Sequence, residues 1–375
     1  MVEFHGRPFL AYLLDLLRDN GLHDVLLLLG YRAEVVERYL ASRPVDDLRI
    51  STHVAEPELQ TGSRMWLARD SIAERFLFLY SDNYWPMSWP SLWRRHASSG
   101  RSAQVTVYRN DDSYSRDNVR LDADGETVVR YDPTRQSAGL RGVEIGYAIM
   151  PRQAIDLLEG HDAPFERLTY PALIEAGELG AYVTGHRYYS VGSIDRLPRT
   201  EAFLARRPAV IVDRDGVLNE KPPRAQYVRS PDDLRWLPGA REALGLLTGA
   251  GYTVLVASNQ AGVGRGAMSM ADLAAVNARL VEDAAASGGR IDGIYFCPHD
   301  WDEGCECRKP RPGMLFQAQR DHGLDLSRTF FVGDDERDGE AAAAAGSPFL
   351  IVNEDQSLLE VVHRLIDQSV TVRSV

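Results

Sequence analysis

Apolar positions in the second half of this chain fall into short, unbroken runs. Ala209-Val210-Ile211-Val212, Tyr252-Thr253-Val254-Leu255-Val256-Ala257 and Thr329-Phe330-Phe331-Val332 show no polar alternation, the pattern of strands buried on both faces. Each run stops at a polar cluster, and helical patterns lie between them, ending in an alanine-rich helix over Ala341 to Ala345. Strands that alternate with helices predict an α/β domain built on a parallel sheet. The first half is also α/β in pattern. Pro8 to Arg18 has helical spacing, Asp24 to Tyr31 is a buried strand, Ala33 to Leu40 a helix, and Arg75 to Tyr80 a strand that ends at Ser81-Asp82-Asn83. Leu121 to Val128 predicts a hairpin turning at Asp124-Gly125. Glu201 to Pro208 joins the halves, and Pro208 stops the helical pattern just before the next strand. Two domains are expected, 1–204 and 207–375, with Ser369 to Val375 expected to fray. No internal repeat or low-complexity segment is evident.

At 375 residues the chain is long enough for two or three domains at about 150 residues each. A net charge of −12 and a pI near 5.3 argue against nucleic acid or an anionic membrane as partner. Apolar runs fall well short of the ~20 residues of a membrane helix. Met1-Val2-Glu3-Phe4-His5 lacks the basic and apolar regions of a signal peptide. The expectation is a cytoplasmic protein.

The chemistry is concentrated where the strands end. Asp213-Arg214-Asp215-Gly216 follows the first run and places two carboxylates at the carboxyl edge of a sheet, where open α/β folds bind ligands. One can attack phosphorus while the other gives a proton to the leaving oxygen. Ser258-Asn259-Gln260 ends the second run with a hydroxyl and two amides, and Arg308-Lys309-Pro310 adds fixed positive charge. Gly333-Asp334-Asp335-Glu336-Arg337-Asp338 closes the last run with hard oxygen ligands suited to Mg²⁺. Taken singly, Asp-x-Asp-Gly is ordinary turn chemistry and Lys309 a solvated charge. Four such elements in register favour an enzyme.

All three cysteines lie in one segment, Cys297-Pro298-His299 followed by Cys305-Glu306-Cys307. Three thiols and an imidazole complete a tetrahedral Zn²⁺ site with no open position, which predicts a structural ion. The odd count and the clustering with His299 disfavour a disulfide.

The order Asp-x-Asp, Ser, Lys and a late acidic pair resembles the haloacid-dehalogenase superfamily of phosphohydrolases. The Cys-x-His and Cys-x-Cys loop before Arg-Lys-Pro is similar to that of its subgroup containing heptose-bisphosphate and histidinol-phosphate phosphatases. Asn259-Gln260-Ala261-Gly262-Val263-Gly264-Arg265-Gly266 and Arg308-Lys309-Pro310-Arg311-Pro312-Gly313-Met314 favour the heptose branch. The resemblance covers roughly residues 207 to 360 and implies a Rossmann-like fold. It implies Asp213 as nucleophile and Mg²⁺ ligand, and Asp215 as acid, then base, and backbone ligand. Asp334 would be the other carboxylate on Mg²⁺. Ser258 and Lys309 would hold the transferring phosphoryl group, while Arg308, Asn259, Gln260 and Asp335 would contact the substrate, a small sugar phosphate. Ser258 stands where threonine is frequent, Asp335 where lysine often stands, and Lys221 to Tyr227 departs from the usual loop.

Residues 1 to 204 more faintly resemble the sugar-1-phosphate nucleotidyltransferases. Arg7-Pro8-Phe9-Leu10, Gln60-Thr61-Gly62, Ser81-Asp82, Gly146-Tyr147-Ala148-Ile149 and Val191-Gly192-Ser193 carry the likeness. The chain begins after the place of that family's first strand and Gly-rich phosphate loop, and Ser190 stands for its second metal carboxylate. Without those electrostatic supports a degenerate domain is expected, serving as a scaffold or a dimerisation module. Self-association through it stays open. The leading expectation is a phosphatase for the 7-phosphate of a heptose 1,7-bisphosphate, with the α-anomer favoured if the first half descends from a guanylyltransferase. The alternatives are histidinol phosphate as substrate, a bifunctional phosphatase and guanylyltransferase, and a sugar-nucleotide-binding regulatory module attached to a phosphatase.

Overall fold

The computed structural model describes residues 1–373, which divide into two compact units, Met1–Leu204 and a second that begins at Ala205. Of the segment expected to fray, Ser374 and Val375 lie outside the described residues, and a helix spans Leu358–Arg373.

The second unit is organised by a five-stranded parallel sheet. Its spatial order is Gly293–Cys297, Thr253–Asn259, Ala209–Val212, Phe330–Gly333 and Phe349–Ile351. The first strand in sequence is therefore central, and the order reverses beside it. Side chains alternate across this sheet with the period of two that strands impose. Val210, Val212, Val254, Val256 and Val332 enter one core with Leu244, Leu247, Val276, Leu280 and Val361. Ala209, Ile211, Leu255, Ala257 and Phe331 enter a second core with Leu315, Phe316, Ala341 and Ala342. Helices Ala240–Gly249, Met270–Ala286 and Leu358–Arg373 thus cover one face, and Gly313–His322 and Glu336–Ala345 the other. A sheet covered on both faces has no polar side to display, which is why its strands read as continuous apolar runs.

The first unit holds a mixed four-stranded sheet in the order Leu179–Thr184, Ala103–Tyr108, Val143–Pro151, Arg75–Leu79. Asp24–Leu29 and Arg49–Val54 form a separate parallel pair. None of the residues of Asp24–Leu29 is fully buried, although five of the six are apolar. The sequence pattern predicts a buried strand here; the structure pairs it on one edge only and leaves its leucines half-exposed. The predicted hairpin forms from Val119–Leu121 and Val128–Tyr131. Its turn is wider than a tight two-residue turn, closed by Asp122 N–H donating to the Thr127 carbonyl at 2.9 Å, and Gly125 takes φ +68° inside it. Among the described residues no helix is long and apolar enough to cross a membrane.

Candidate active site

The point where strand order reverses in the second unit is where open parallel sheets leave a crevice. Asp213 stands there, its backbone N–H bonded to the Val332 carbonyl of the neighbouring strand at 2.9 Å. Asp334, at the end of that strand, faces it. The carboxylates of Asp213, Asp334 and Asp338 gather so that one oxygen of each lies within 4.8 Å of the others. Gly216 makes the approach possible. It sits at φ +96°, and a Cβ there would lie 2.3 Å from Asp334 Oδ2, so only glycine meets both demands.

Lys309 closes the cluster. Its ammonium, 2% exposed, lies 2.9 Å from Asp213 Oδ2 and 2.7 Å from Asp338 Oδ1, and donates to the Ala257 carbonyl at 2.9 Å. Those three partners use all the donors an ammonium has. Burial alone would strip its charge, but Asp213 and Asp338 outweigh that and push its pKa up. Burial likewise pushes the Asp213 pKa up; Lys309 opposes the shift, while Asp338 and Asp215 add to it. Asp338 belongs to the capping box of helix Glu336–Ala345. Its Oδ2 accepts from the backbone N–H groups of Asp334 and Asp335, both at 3.2 Å, while Oδ1 serves Lys309.

The remaining predicted positions assemble on the same edge. Asn259 clasps the backbone of Lys309: its Oδ1 accepts from the Lys309 N–H at 3.0 Å and its Nδ2 donates to the Lys309 carbonyl at 3.1 Å. Gln260 Nε2 donates to Asp215 Oδ2 at 2.8 Å and to Ser258 Oγ at 2.9 Å. Asp215, Asn259, Gln260, Arg308 and Lys309 line a cleft of about 740 Å³, together with Lys221, Arg224, Tyr227, Trp301 and Arg337. Asp335 does not line it. Its carboxylate caps the helix and is held by Arg337 Nε and Nη2, each at 2.8 Å, with Lys221 Nζ at 3.2 Å. The Arg337 hydrogen bonds hold Asp335 well below the usual carboxylate range. Lys221 also reaches Asp334 Oδ2 at 2.7 Å. Burial raises the Asp334 pKa and Lys221 pulls it back.

Sequence reasoning gave no role of their own to three of these participants. Asp338 was read only as one member of the acidic cluster after the last strand, although it lies four residues after Asp334, a spacing that could have singled it out. Arg214, between the two predicted carboxylates, is the largest fully buried side chain and pairs with Asp215. Lys221 reaches the acidic pair from a loop more than a hundred residues earlier, and nothing local announces it.

Two donor sets suit metals. Asp334 Oδ1 is buried and has no hydrogen-bond partner, an orphaned acceptor beside Asp213 that a hard cation would satisfy. In the second set, Cys297 Sγ lies 3.5 Å from both His299 Nδ1 and Cys305 Sγ. His299 Nδ1 is 3.2 Å from Cys307 Sγ, and Cys305 and Cys307 Sγ are 3.6 Å apart. These are close to the ~3.5–3.8 Å edges of a tetrahedron with metal–ligand bonds of about 2.0–2.3 Å. They are far too long for a disulfide, and the cysteines are free.

In the first unit Ser190 pairs with Asn83 across two short antiparallel strands, and the Val191 N–H donates to the Asp82 carbonyl at 2.8 Å. The structure therefore sets Ser190 beside Asp82. Burial pushes the Asp82 pKa up.

A family profile described as HAD-hyrolase-like matches residues 306–370. The D-glycero-beta-D-manno-heptose-1,7-bisphosphate 7-phosphatase of Pseudomonas aeruginosa is 46% identical over 138 residues, which are 37% of this chain and 76% of that protein. A crystal structure of the D,D-heptose 1,7-bisphosphate phosphatase of Bordetella bronchiseptica, complexed with magnesium and phosphate, aligns at 36% identity. It covers 43% of this chain and 99% of that one, with a TM-score of 0.40. A crystal structure of HddC from Yersinia pseudotuberculosis aligns at 23% identity, covering 53% of this chain and 87% of that one, with a TM-score of 0.46.

Proposed function

The chain belongs, through its second unit, to the D-glycero-D-manno-heptose-1,7-bisphosphate 7-phosphatase family, and we propose from that premise how its residues divide the reaction. The substrate is the heptose 1,7-bisphosphate, and the ester cleaved is the one to the 7-phosphate. What supports this most is the meeting of Asp213, Asp215, Ser258, Lys309 and Asp334 around one reversal of strand order, in a unit with a close phosphatase relative.

An Asp213 oxygen attacks phosphorus, and the bond from phosphorus to the C7 oxygen breaks. The departing oxygen takes the carboxylic proton of Asp215. Asp215, now a carboxylate, takes a proton from water; that oxygen attacks the phosphorus of the aspartyl phosphate, the Asp213 bond to phosphorus breaks, and inorganic phosphate leaves. Lys309 and Ser258 flank the transferring group and spread its charge. Lys309 is held ready by Asp338 and by the clasp of Asn259. A Mg²⁺ held by Asp213, Asp334 and the Asp215 carbonyl would supply further positive charge to the phosphoryl oxygens. Arg308 contacts the sugar or its second phosphate. Asn259, Gln260 and Asp335 act mainly through Lys309, Asp215 and Arg337. Cys297, His299, Cys305 and Cys307 would hold a Zn²⁺ that would brace the loop carrying Arg308 and Lys309. The P. aeruginosa relative is named for the β-anomer, which is the anomer to expect first, ahead of the α-anomer suggested by the first unit. The first unit serves as a scaffold, and the cytoplasm, where thiols stay reduced, is the compartment that suits the zinc set.

Phosphate release from both heptose anomers and from histidinol phosphate tests this reading. The β-anomer should be preferred, and a tenfold preference for histidinol phosphate would overturn the substrate. Asp213→Asn should abolish turnover with zinc content unchanged. GTP and a heptose 1-phosphate should yield no pyrophosphate.

A further inference from the structure

Arg214 lies between the two carboxylates in sequence and is 1% exposed. A guanidinium is seldom buried this deeply without a partner for its charge, and the partner here is Asp215. Arg214 Nε lies 3.1 Å from Asp215 Oδ1, and Nη2 lies 3.0 Å from Oδ1 and 2.9 Å from Oδ2. The same Nη2 donates to Gln260 Oε1 at 3.0 Å, and Gln260 returns Nε2 to Asp215 Oδ2. Asn219 Nδ2 donates to Asp215 Oδ1 at 2.9 Å. Behind this, Arg214 Nη1 meets Asn277 Oδ1 at 3.5 Å. One carboxylate is thereby gripped by three side chains, and only the arginine binds both of its oxygens while also tying it to a third residue. A planar fork fixes the plane of a carboxylate, which a single-point donor does not do.

We propose that Arg214 is the positioning residue of the proton-transferring carboxylate: it sets the plane and direction of Asp215, so that the carboxyl meets the departing C7 oxygen in the first step and water in the second. Arg214 itself neither gains nor loses a proton. The inference rests on the assignment of Asp215 as acid and base, and the experiment separates the two.

The test compares two substrates on full-length protein with Mg²⁺ present. The heptose ester has an alkoxide leaving group that needs a proton, whereas 2,4-dinitrophenyl phosphate releases a phenolate that does not. Arg214→Lys keeps the charge but loses the fork. It should lower kcat on the heptose substrate by about 30-fold or more, approaching the ~10²–10⁴-fold of a full general acid–base contribution, with KM changed less than about threefold. On the aryl ester the same variant should release a first equivalent of dinitrophenolate at close to the wild-type rate and then turn over slowly, because attack of water still needs Asp215. Asp215→Asn should behave the same way. If Asp215→Asn shows the burst and Arg214→Lys slows the burst as much as turnover, or leaves heptose turnover unchanged, the role given to Arg214 is wrong. If Asp215→Asn itself shows no burst, the acid–base assignment falls and this inference with it. Arg214→Gln, which has no charge to bury, takes the place of the lysine variant should that one not fold, and circular dichroism checks both.

Discussion

Buried charge is the recurrent device at the scale of single residues, and its sign decides what each group does. Around Lys309 one ammonium is matched by two carboxylates, so the charges survive burial and stay where the chemistry needs them. Glu144 in the first unit is the opposite case. It is buried with no cation on it; burial, opposed by the Gly146 N–H and reinforced by Glu166 and Asp82, pushes its pKa up to about 7 from 4.5. Its Oε1 accepts from the Gly146 N–H at 2.7 Å. Between pH 4.5 and 7 the native chain therefore holds a proton that the unfolded chain has lost. Stability of the first unit should fall as pH rises through that window, by roughly 3 kcal/mol at about 1.4 kcal/mol per pKa unit. Glu144→Gln keeps the acceptor and removes the titration. Urea unfolding followed by tryptophan fluorescence should show the variant more stable than the parent at pH 8 and close to it at pH 4; equal pH profiles for the two proteins would show that Glu144 is ionised at neutral pH in the fold.

At the scale of elements, legibility followed locality. The strand Ala209–Val212 and the carboxylates after it were readable because a run buried on both faces carries its own signature, and because Asp213, Ser258 and Asp334 stand at or directly after strand ends. The cluster of Cys297, His299, Cys305 and Cys307 was readable because its four members lie within eleven residues. What stayed hidden depends on contacts between distant segments. Lys221 meets Asp334 across 113 positions, and Arg214 looked like an arbitrary residue between two aspartates until Gln260 and Asn277 were brought against it. Asp335 drew attention as an acid beside Asp334, yet its carboxylate caps a helix, a use that local sequence also allowed. The zinc loop gives this scale its prediction. Arg308 and Lys309 follow Cys307 directly, and Gly313 N–H donates back to the Glu306 carbonyl at 3.1 Å, so the loop and the cations are one folded piece. Structural zinc contributes about 10–16 kcal/mol in small peptide sites. Cys305→Ser should therefore lose the metal and lower kcat/KM at saturating Mg²⁺ by tenfold or more. Metal analysis and phosphate release measure both quantities. Zinc loss with undiminished activity would mean that the loop holds its cations unaided.

At the scale of the whole molecule, the phosphatase machinery lies entirely on one side of the division at Leu204 and Ala205. Every residue assigned to it falls between Asp213 and Asp338, and the cleft is lined from Asp215 to Arg337. The two cores of the second unit draw only on residues from Ala209 to Leu365, with Ile366 packed at the edge, so its sheet is covered on both faces by its own helices. A unit with its own core can fold alone. The P. aeruginosa relative supports the same expectation, since 138 aligned residues already make up 76% of it, a chain about the size of this unit. Residues 205–375 expressed alone should bind zinc and keep kcat/KM for the heptose bisphosphate within about threefold of the full chain, a barrier difference below about 1 kcal/mol. Steady-state phosphate release on the fragment and the full chain makes the comparison. A tenfold loss that is recovered on adding residues 1–204 would show that the first unit contributes to the reaction, and would replace its scaffold role with a part in shaping the cleft.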